Sequence, residues 1–172
     1  MEQSSDLFGD SIGAEFSPCR QYRYRLWRVW GTRPVCLFIM LNPSTAAETT
    51  NDPTVTRCIG FAKKWGYGGC VVANLFAYRA TNPKEMKSAK DPIGPENDKY
   101  ILQCAADAGI VMYAWGLDGK HMGRSHYVRG MLHEAGIKAY CLSVTAEGEP
   151  GHPLYLRGDL QPKLLPYEAG TP

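Results

Sequence analysis

Apolar and polar positions along the chain fall into short blocks that switch between two periods. From Arg20 to Trp30, aromatic and arginine residues alternate through Tyr22, Arg23, Tyr24 and Arg25, the pattern of a strand with one wet face. Gly31-Thr32-Arg33-Pro34 reads as a turn, so this strand is expected to pair antiparallel with the next. Val35 to Leu41 is apolar throughout and uncharged, as a central strand buried on both faces requires. Cys70 to Tyr78, Ile110 to Gly116 and Lys138 to Ser143 follow as further apolar strands.

Between these runs the period lengthens to that of a helix. Asp52 is placed to cap a helix with Pro53 in its first turn. Val55, Ile59, Ala62 and Trp65 form its apolar stripe, Arg57, Lys63 and Lys64 face outward, and Gly66 ends it. Asn82-Pro83 opens a loop or short helix. Asp98 to Ala108 predicts another helix, with Ile101, Leu102, Ala105 and Ala108 in the stripe. Arg124 to Ala135 predicts a third, built on Tyr127, Val128, Met131, Leu132 and Ala135 and closed by Gly136. Strands alternating with amphipathic helices predict a three-layer α/β/α fold with a mostly parallel central sheet. Residues 1–17 are polar and read as a loose arm, and 18–172 as a single domain.

Composition mainly excludes. Nineteen Lys plus Arg against seventeen Asp plus Glu leave a formal charge of +2, which argues against bulk polyanion binding but allows a local basic groove. The longest apolar stretch is too short to cross a bilayer, and the first residues lack the basic-then-apolar order of a secretory signal. A cytoplasmic location without a membrane partner is therefore expected. The six cysteines lie at least twelve residues apart with no C-x-x-C, so reduced, mostly buried thiols are expected rather than a zinc ribbon or redox dithiol. No H-E-x-x-H, G-x-G-x-x-G, phosphate-loop or G-x-S-x-G motif occurs, so neither a catalytic metal nor a cofactor is expected.

Folds of this class bind ligands outside the carboxyl ends of their strands. That rule selects Asn42 to Thr45, Asn74 to Arg79, Trp115-Gly116 and the loop carrying His152. Asn42-Pro43-Ser44-Thr45 has the composition of a turn; functionally, Asn42 would hold a water or a carbonyl while Ser44 and Thr45 offer hydroxyls to a phosphate. Asn74 interrupts an apolar strand, and its carboxamide is either satisfied by a loop or reads the edge of a nucleobase. Arg57, Arg79 and Arg124 are candidates for phosphate contacts. Arg23, Arg25 and Arg28, interleaved with Tyr22, Tyr24 and Trp27, either extend a groove or belong to a half-buried edge strand. Asp52 is the nearest acidic alternative in sequence after Glu48, with helix capping as its first role.

The segments LNPSTA, DPT-x-x-RC, WGYGG, NLFAYRAT, Ala114-Trp115-Gly116 and GHPLYL resemble a bacterial and phage family catalogued as domain of unknown function 1643. More distantly, their order is similar to the uracil-DNA glycosylase superfamily. There a first strand ends in a water-activating motif, often Asn-Pro; a middle strand ends in a base-reading Asn, a later one in Trp-Gly, and a closing loop carries His-Pro. Asn42-Pro43, Asn74, Trp115-Gly116 and His152-Pro153 follow that order. The resemblance implies a uracil-DNA glycosylase-like fold in which Asn42 positions water, Asn74 reads the base and His152 stabilises the departing base. Around these three, the substrate pocket is expected to draw on Pro43, Ser44, Thr45, Phe76, Arg79, Trp115, Gly116 and Pro153, with Arg57, Arg124, Leu154 and Tyr155 toward DNA. Three functions stay open: a glycosylase acting on a uracil-like or modified base in DNA, a hydrolase or transferase of free nucleotides or nucleosides, and a module that binds nucleic acid or a modified base without cleaving it.

Overall fold

The computed structural model describes residues 11–45 and 49–169; residues 1–10 of the expected arm, Ala46 of LNPSTA, and Glu48 lie outside them. Seven strands, β1 (Ser11–Phe16), β2 (Arg23–Val29), β3 (Val35–Met40), β4 (Gly69–Asn74), β5 (Ile110–Tyr113), β6 (Tyr140–Cys141) and β7 (Lys163–Leu164), form one sheet in the order β1-β2-β4-β3-β5-β6-β7. The helices are α1 (Pro53–Lys64), α2 (Pro83–Ser88), α3 (Asn97–Asp107) and α4 (Arg124–Glu134). The α/β class holds, but the sheet is mixed rather than mostly parallel. Only β4, β3, β5 and β6 run parallel; β1 with β2, β2 with β4, and β6 with β7 pair antiparallel. Ser11–Phe16, within the stretch expected to be a loose arm, is the edge strand β1.

The expected pairing of β2 with β3 is replaced by pairing of β2 with β4. The reason lies in the side chains. β3 is apolar on both faces and takes the position where both are covered, while β2 keeps half-exposed positions and lies further out. The turn between them crosses the end of β4, where Trp30 and Gly31 N–H both donate to the Gly68 carbonyl at 2.9 Å.

Helix α1 covers one face of the sheet through Val55, Cys58, Phe61 and Ala62, packed on Leu26, Phe38, Met40 and Val72. On the other face lie α2, α3 and α4, whose Met86, Ile101, Ala105, Val128 and Leu132 pack on Leu37, Ile39, Val111 and Tyr113. Asp52 Oδ1 accepts from Val55 N–H at 2.8 Å and Pro53 follows it, as a helix start requires. Both α1 and α4 end in a left-handed glycine, Gly66 and Gly136, with the next N–H (Tyr67, Ile137) reaching back to Ala62 and Leu132.

The third expected strand, Cys70 to Tyr78, leaves the ladder at Asn74. Side chains take over its carbonyls there. Asn97 Nδ2 donates to Asn74 O at 2.9 Å and to Leu75 O at 3.0 Å, and Arg124 Nε adds a bond to Leu75 O at 2.8 Å. Successive strands step from β3 to one neighbour, β4, and then across to the other, β5, so the sheet reverses direction at β3. A crevice opens at such a reversal, beyond the carboxyl ends of the strands.

Candidate functional site

That crevice is a cavity of about 600 Å³, within the roughly 300–1,000 Å³ of small-molecule sites. Asn42, Ser44, Asn74, Trp115, Gly116 and His152 line it together, from four separate stretches of chain. Each arrives by the local structure already described. Asn42 follows β3, Asn74 ends β4, Trp115-Gly116 follow β5, and His152 opens a short 3₁₀ turn, Pro153–Tyr155.

Asn42 spends its amide protons on the backbone: Nδ2 donates to Ala80 O at 2.9 Å and to Pro43 O at 3.2 Å. Its Oδ1 is thereby left as the pole available to a ligand or water. Asn74 is buried, and its Nδ2 has no hydrogen-bond partner. An unpaired buried amide donor costs about 1–3 kcal/mol, so a donor of this kind at a cavity wall is suited to an acceptor that arrives with a ligand. His152 Nδ1 accepts from Leu154 N–H at 3.2 Å. That bond puts the ring proton on Nε2, which becomes a neutral donor. Burial also holds the imidazole below its ordinary value, against the opposing pull of Asp52.

The wall formed by Trp115 is braced. Its indole N–H donates to Glu149 Oε2 at 2.7 Å, and Ser125 Oγ donates to Glu149 Oε1 at 2.9 Å. Gly116 adopts φ 77° and ψ −171°, a conformation reserved for glycine, and its N–H donates to Pro150 O at 2.9 Å. This seats the loop bearing His152 against the end of β5.

Two cavity residues carry more than their sequence positions suggested. Asp52 caps α1 with Oδ1, while its Oδ2 accepts from Ser44 Oγ at 2.8 Å. Both oxygens are engaged, which leaves it poorly placed as a base. Arg23, expected at most to extend a surface groove, is 2% exposed and lines the cavity. Its Nε and Nη1 are buried with no partner, and burial lowers its pKa to about 10. The sequence signal was available in principle. An arginine at the start of an antiparallel neighbour of β4 comes to the edge where the parallel strands end, but the turn at Gly31 to Pro34 points to β3 as the partner of β2.

Other expected site residues are elsewhere. Phe76 is fully buried in the core on the α3 and α4 side, its ring 5.6 Å from that of His121. Arg124, 3% exposed, is bound to Leu75 O and to Asp98 and cannot also track phosphates from that position. Arg79 bridges loops, donating to Arg20 O and Thr45 O at 3.0 Å each. Arg57 is a strut from α1 to the His152 loop, donating to Pro153 O at 3.4 Å and to Leu156 O. Pro43 is buried and Thr45 lies beside Thr81, both outside the cavity lining; Pro153 is buried beneath the loop. The physical reason is common to the arginines: backbone carbonyls at loop ends needed donors, and these side chains supply them. Leu154 and Tyr155 stand on the cavity rim, 40% and 83% exposed.

Among the described residues, no three His, Cys, Asp or Glu side chains are grouped to hold a metal ion, and no helix is long and apolar enough to cross a membrane. All six cysteines are free thiols and five are buried; burial pushes Cys70 up to about 12. A family model described as a protein of unknown function, DUF1643, matches residues 23–154. No curated protein and no solved structure matches the chain.

Proposed function

The chain belongs to the DUF1643 family, and from the cavity its matched residues surround we propose a hydrolase that grips a uracil-like or modified base and cleaves its N-glycosidic bond. The observation that carries this reading is the convergence of Asn42, Asn74 and His152 on one hollow of suitable size. Asn74 Nδ2 would donate to a base carbonyl, and the neutral Nε2–H of His152 would donate to a second acceptor on the ring. Asn42 Oδ1 would accept from the attacking water and aim its oxygen at the anomeric carbon.

The chemistry balances simply. Water adds to the anomeric carbon, the carbon–nitrogen bond breaks, its electron pair leaves with the base, and the proton lost by the water ends on solvent or base. Fixed donors matter most as the base gains negative charge; removing one such donor costs about 10²–10³ in rate. With both oxygens of Asp52 engaged, Asn42 orients water without strongly deprotonating it, so the rate would be modest.

The substrate is either a nucleotide flipped out of DNA or a free nucleotide. For DNA, Leu154 and Tyr155 on the rim are available as wedges. The internal bonding of Arg57, Arg79 and Arg124 favours the free nucleotide, since no phosphate track is left among them. The test is incubation with uracil-containing single- and double-stranded DNA and with deoxyuridine monophosphate, followed by chromatography for free uracil and alkali cleavage for abasic sites. Release of base that Asn42→Ala slows supports the reading. Tight binding of a base without release from any substrate would replace it with the non-cleaving module.

A further inference from the structure

The guanidinium of Arg23 has no role in the cleavage scheme above, yet it is the most confined charge at the cavity. Nothing among the described residues accepts a hydrogen bond from its side chain, and Nε and Nη1 are sealed from water. A buried charge without a hydrogen-bonded counter-ion is costly, and proteins keep one where a ligand supplies the missing partner.

Its surroundings are electropositive. Arg28 and Arg79 both act on Arg23 as like charges, and Asp52 is the opposing one. Asp52 is already hydrogen-bonded to Val55 N–H and Ser44 Oγ. The neighbouring arginines are largely occupied, each keeping one unpartnered nitrogen, Arg28 Nη2 and Arg79 Nε. Arg28 donates to Asn51 Oδ1 at 2.8 Å and to the carbonyls of Trp27 and Gly13; Arg79 donates to the carbonyls of Arg20 and Thr45. Of the three, Arg23 alone lines the cavity with its fork unspent. A planar guanidinium fork matches an oxyanion through two parallel hydrogen bonds.

We propose that Arg23 binds the phosphate of a small substrate inside the cavity, and that this substrate is a free nucleoside monophosphate. The nucleoside half rests on the base-binding reading; the anion half does not. A monoester fits better than an internal phosphate of a strand. Arg23 meets only groups that enter the cavity, and a diester would need room for chain on both sides. Asn74, Asn42 and His152 line the same hollow, so phosphate and base would be held in one enclosure.

The test is calorimetric titration of the full chain, at fixed ionic strength, with inorganic phosphate, deoxyuridine, deoxyuridine 5′-monophosphate and a uracil-containing single-stranded oligonucleotide. The monophosphate is expected to bind on the order of tenfold or more tighter than the nucleoside, and phosphate alone to compete with it. Arg23→Gln, and more mildly Arg23→Lys, should bring the ratio of the two affinities toward one. Equal affinities in the native protein, which require no variant to fold, overturn the proposal. So does a preference that survives Arg23→Gln, or an oligonucleotide that outcompetes the monophosphate. Phosphate binding lost on Arg23→Gln, with no affinity for the nucleoside, would sustain the anion site while removing the base-binding reading; no binding of any probe removes both.

Discussion

The side-chain amide of Asn42 donates to the backbone carbonyl of Ala80 at 2.9 Å, joining the loop after β3 to the loop after β4. This bond fixes which end of the carboxamide faces the cavity. Pro43 O takes the second proton, so oxygen rather than nitrogen is offered inward.

Asn42→Ala should therefore slow base release by about 10²-fold or more, the usual worth of a positioned proton acceptor. Asn42→Asp should not rescue it. A carboxylate there would set an oxygen against two carbonyls and lose both bonds, destabilising the fold by about 1–3 kcal/mol. Single-turnover rates and urea midpoints for both variants check this. An Asp variant faster than the parent would show that the oxygen, not the amide, governs the site.

His152 sets a pH dependence. Its folded pKa lies below the ordinary value near 6.5 because it is partly desolvated, with Asp52 pulling the other way. The unfolded chain then binds more protons than the folded one in that window. Stability is fully present above about pH 6.5 and declines as pH falls toward the depressed value. Base release should follow the same direction, because protonating Nδ1 removes the acceptor of Leu154 N–H. Urea titrations at several pH values should show a slope that His152→Gln reduces; an unchanged slope would assign it to other groups.

Gly116→Ala tests how the loop is seated. With φ 77° and ψ −171°, an alanine costs about 1–3 kcal/mol. The added carbon would also lie 3.6 Å from the Cβ of His152, ordinary contact, so backbone strain rather than collision sets the cost. A lowered melting midpoint together with slower base release is expected. A variant as stable as the parent would mean that the loop finds another seat.

Arg124 distinguishes structural from nucleic-acid roles. Replacing it with leucine leaves the Leu75 carbonyl without that donor and Asp98 without its partner, a loss of about 1–3 kcal/mol. The salt dependence of any nucleic-acid binding should be unaltered. A slope reduced by about one would instead mark a phosphate contact.

Much of the element inventory was legible in the residues. Asp52-Pro53 and Gly66 delimit α1, and Gly136 ends α4, because caps and left-handed glycines act within a few residues. The apolar run of β3 announced a central strand for the same local reason. Sheet order was less accessible. Gly31 to Pro34 has the composition of a hairpin turn, yet the strands on either side of it are separated by β4. Strand partnership depends on which faces remain to be covered after all helices dock, and no local pattern contains that sum.

The site divides along the same line. Residue order alone puts Asn42, Asn74, Trp115-Gly116 and His152 at chain positions where an α/β sheet presents side chains, because strand ends are locally encoded and the binding edge follows from the fold class. It took the folded chain to bring these residues to one cavity, to spend Arg57, Arg79 and Arg124 on loop carbonyls, and to set Arg23 in the cavity lining with Nε and Nη1 unpaired. A residue's type states how many hydrogen bonds it can make. Which partners it finds is fixed by segments dozens of residues away, brought near by a sheet whose order is set by packing.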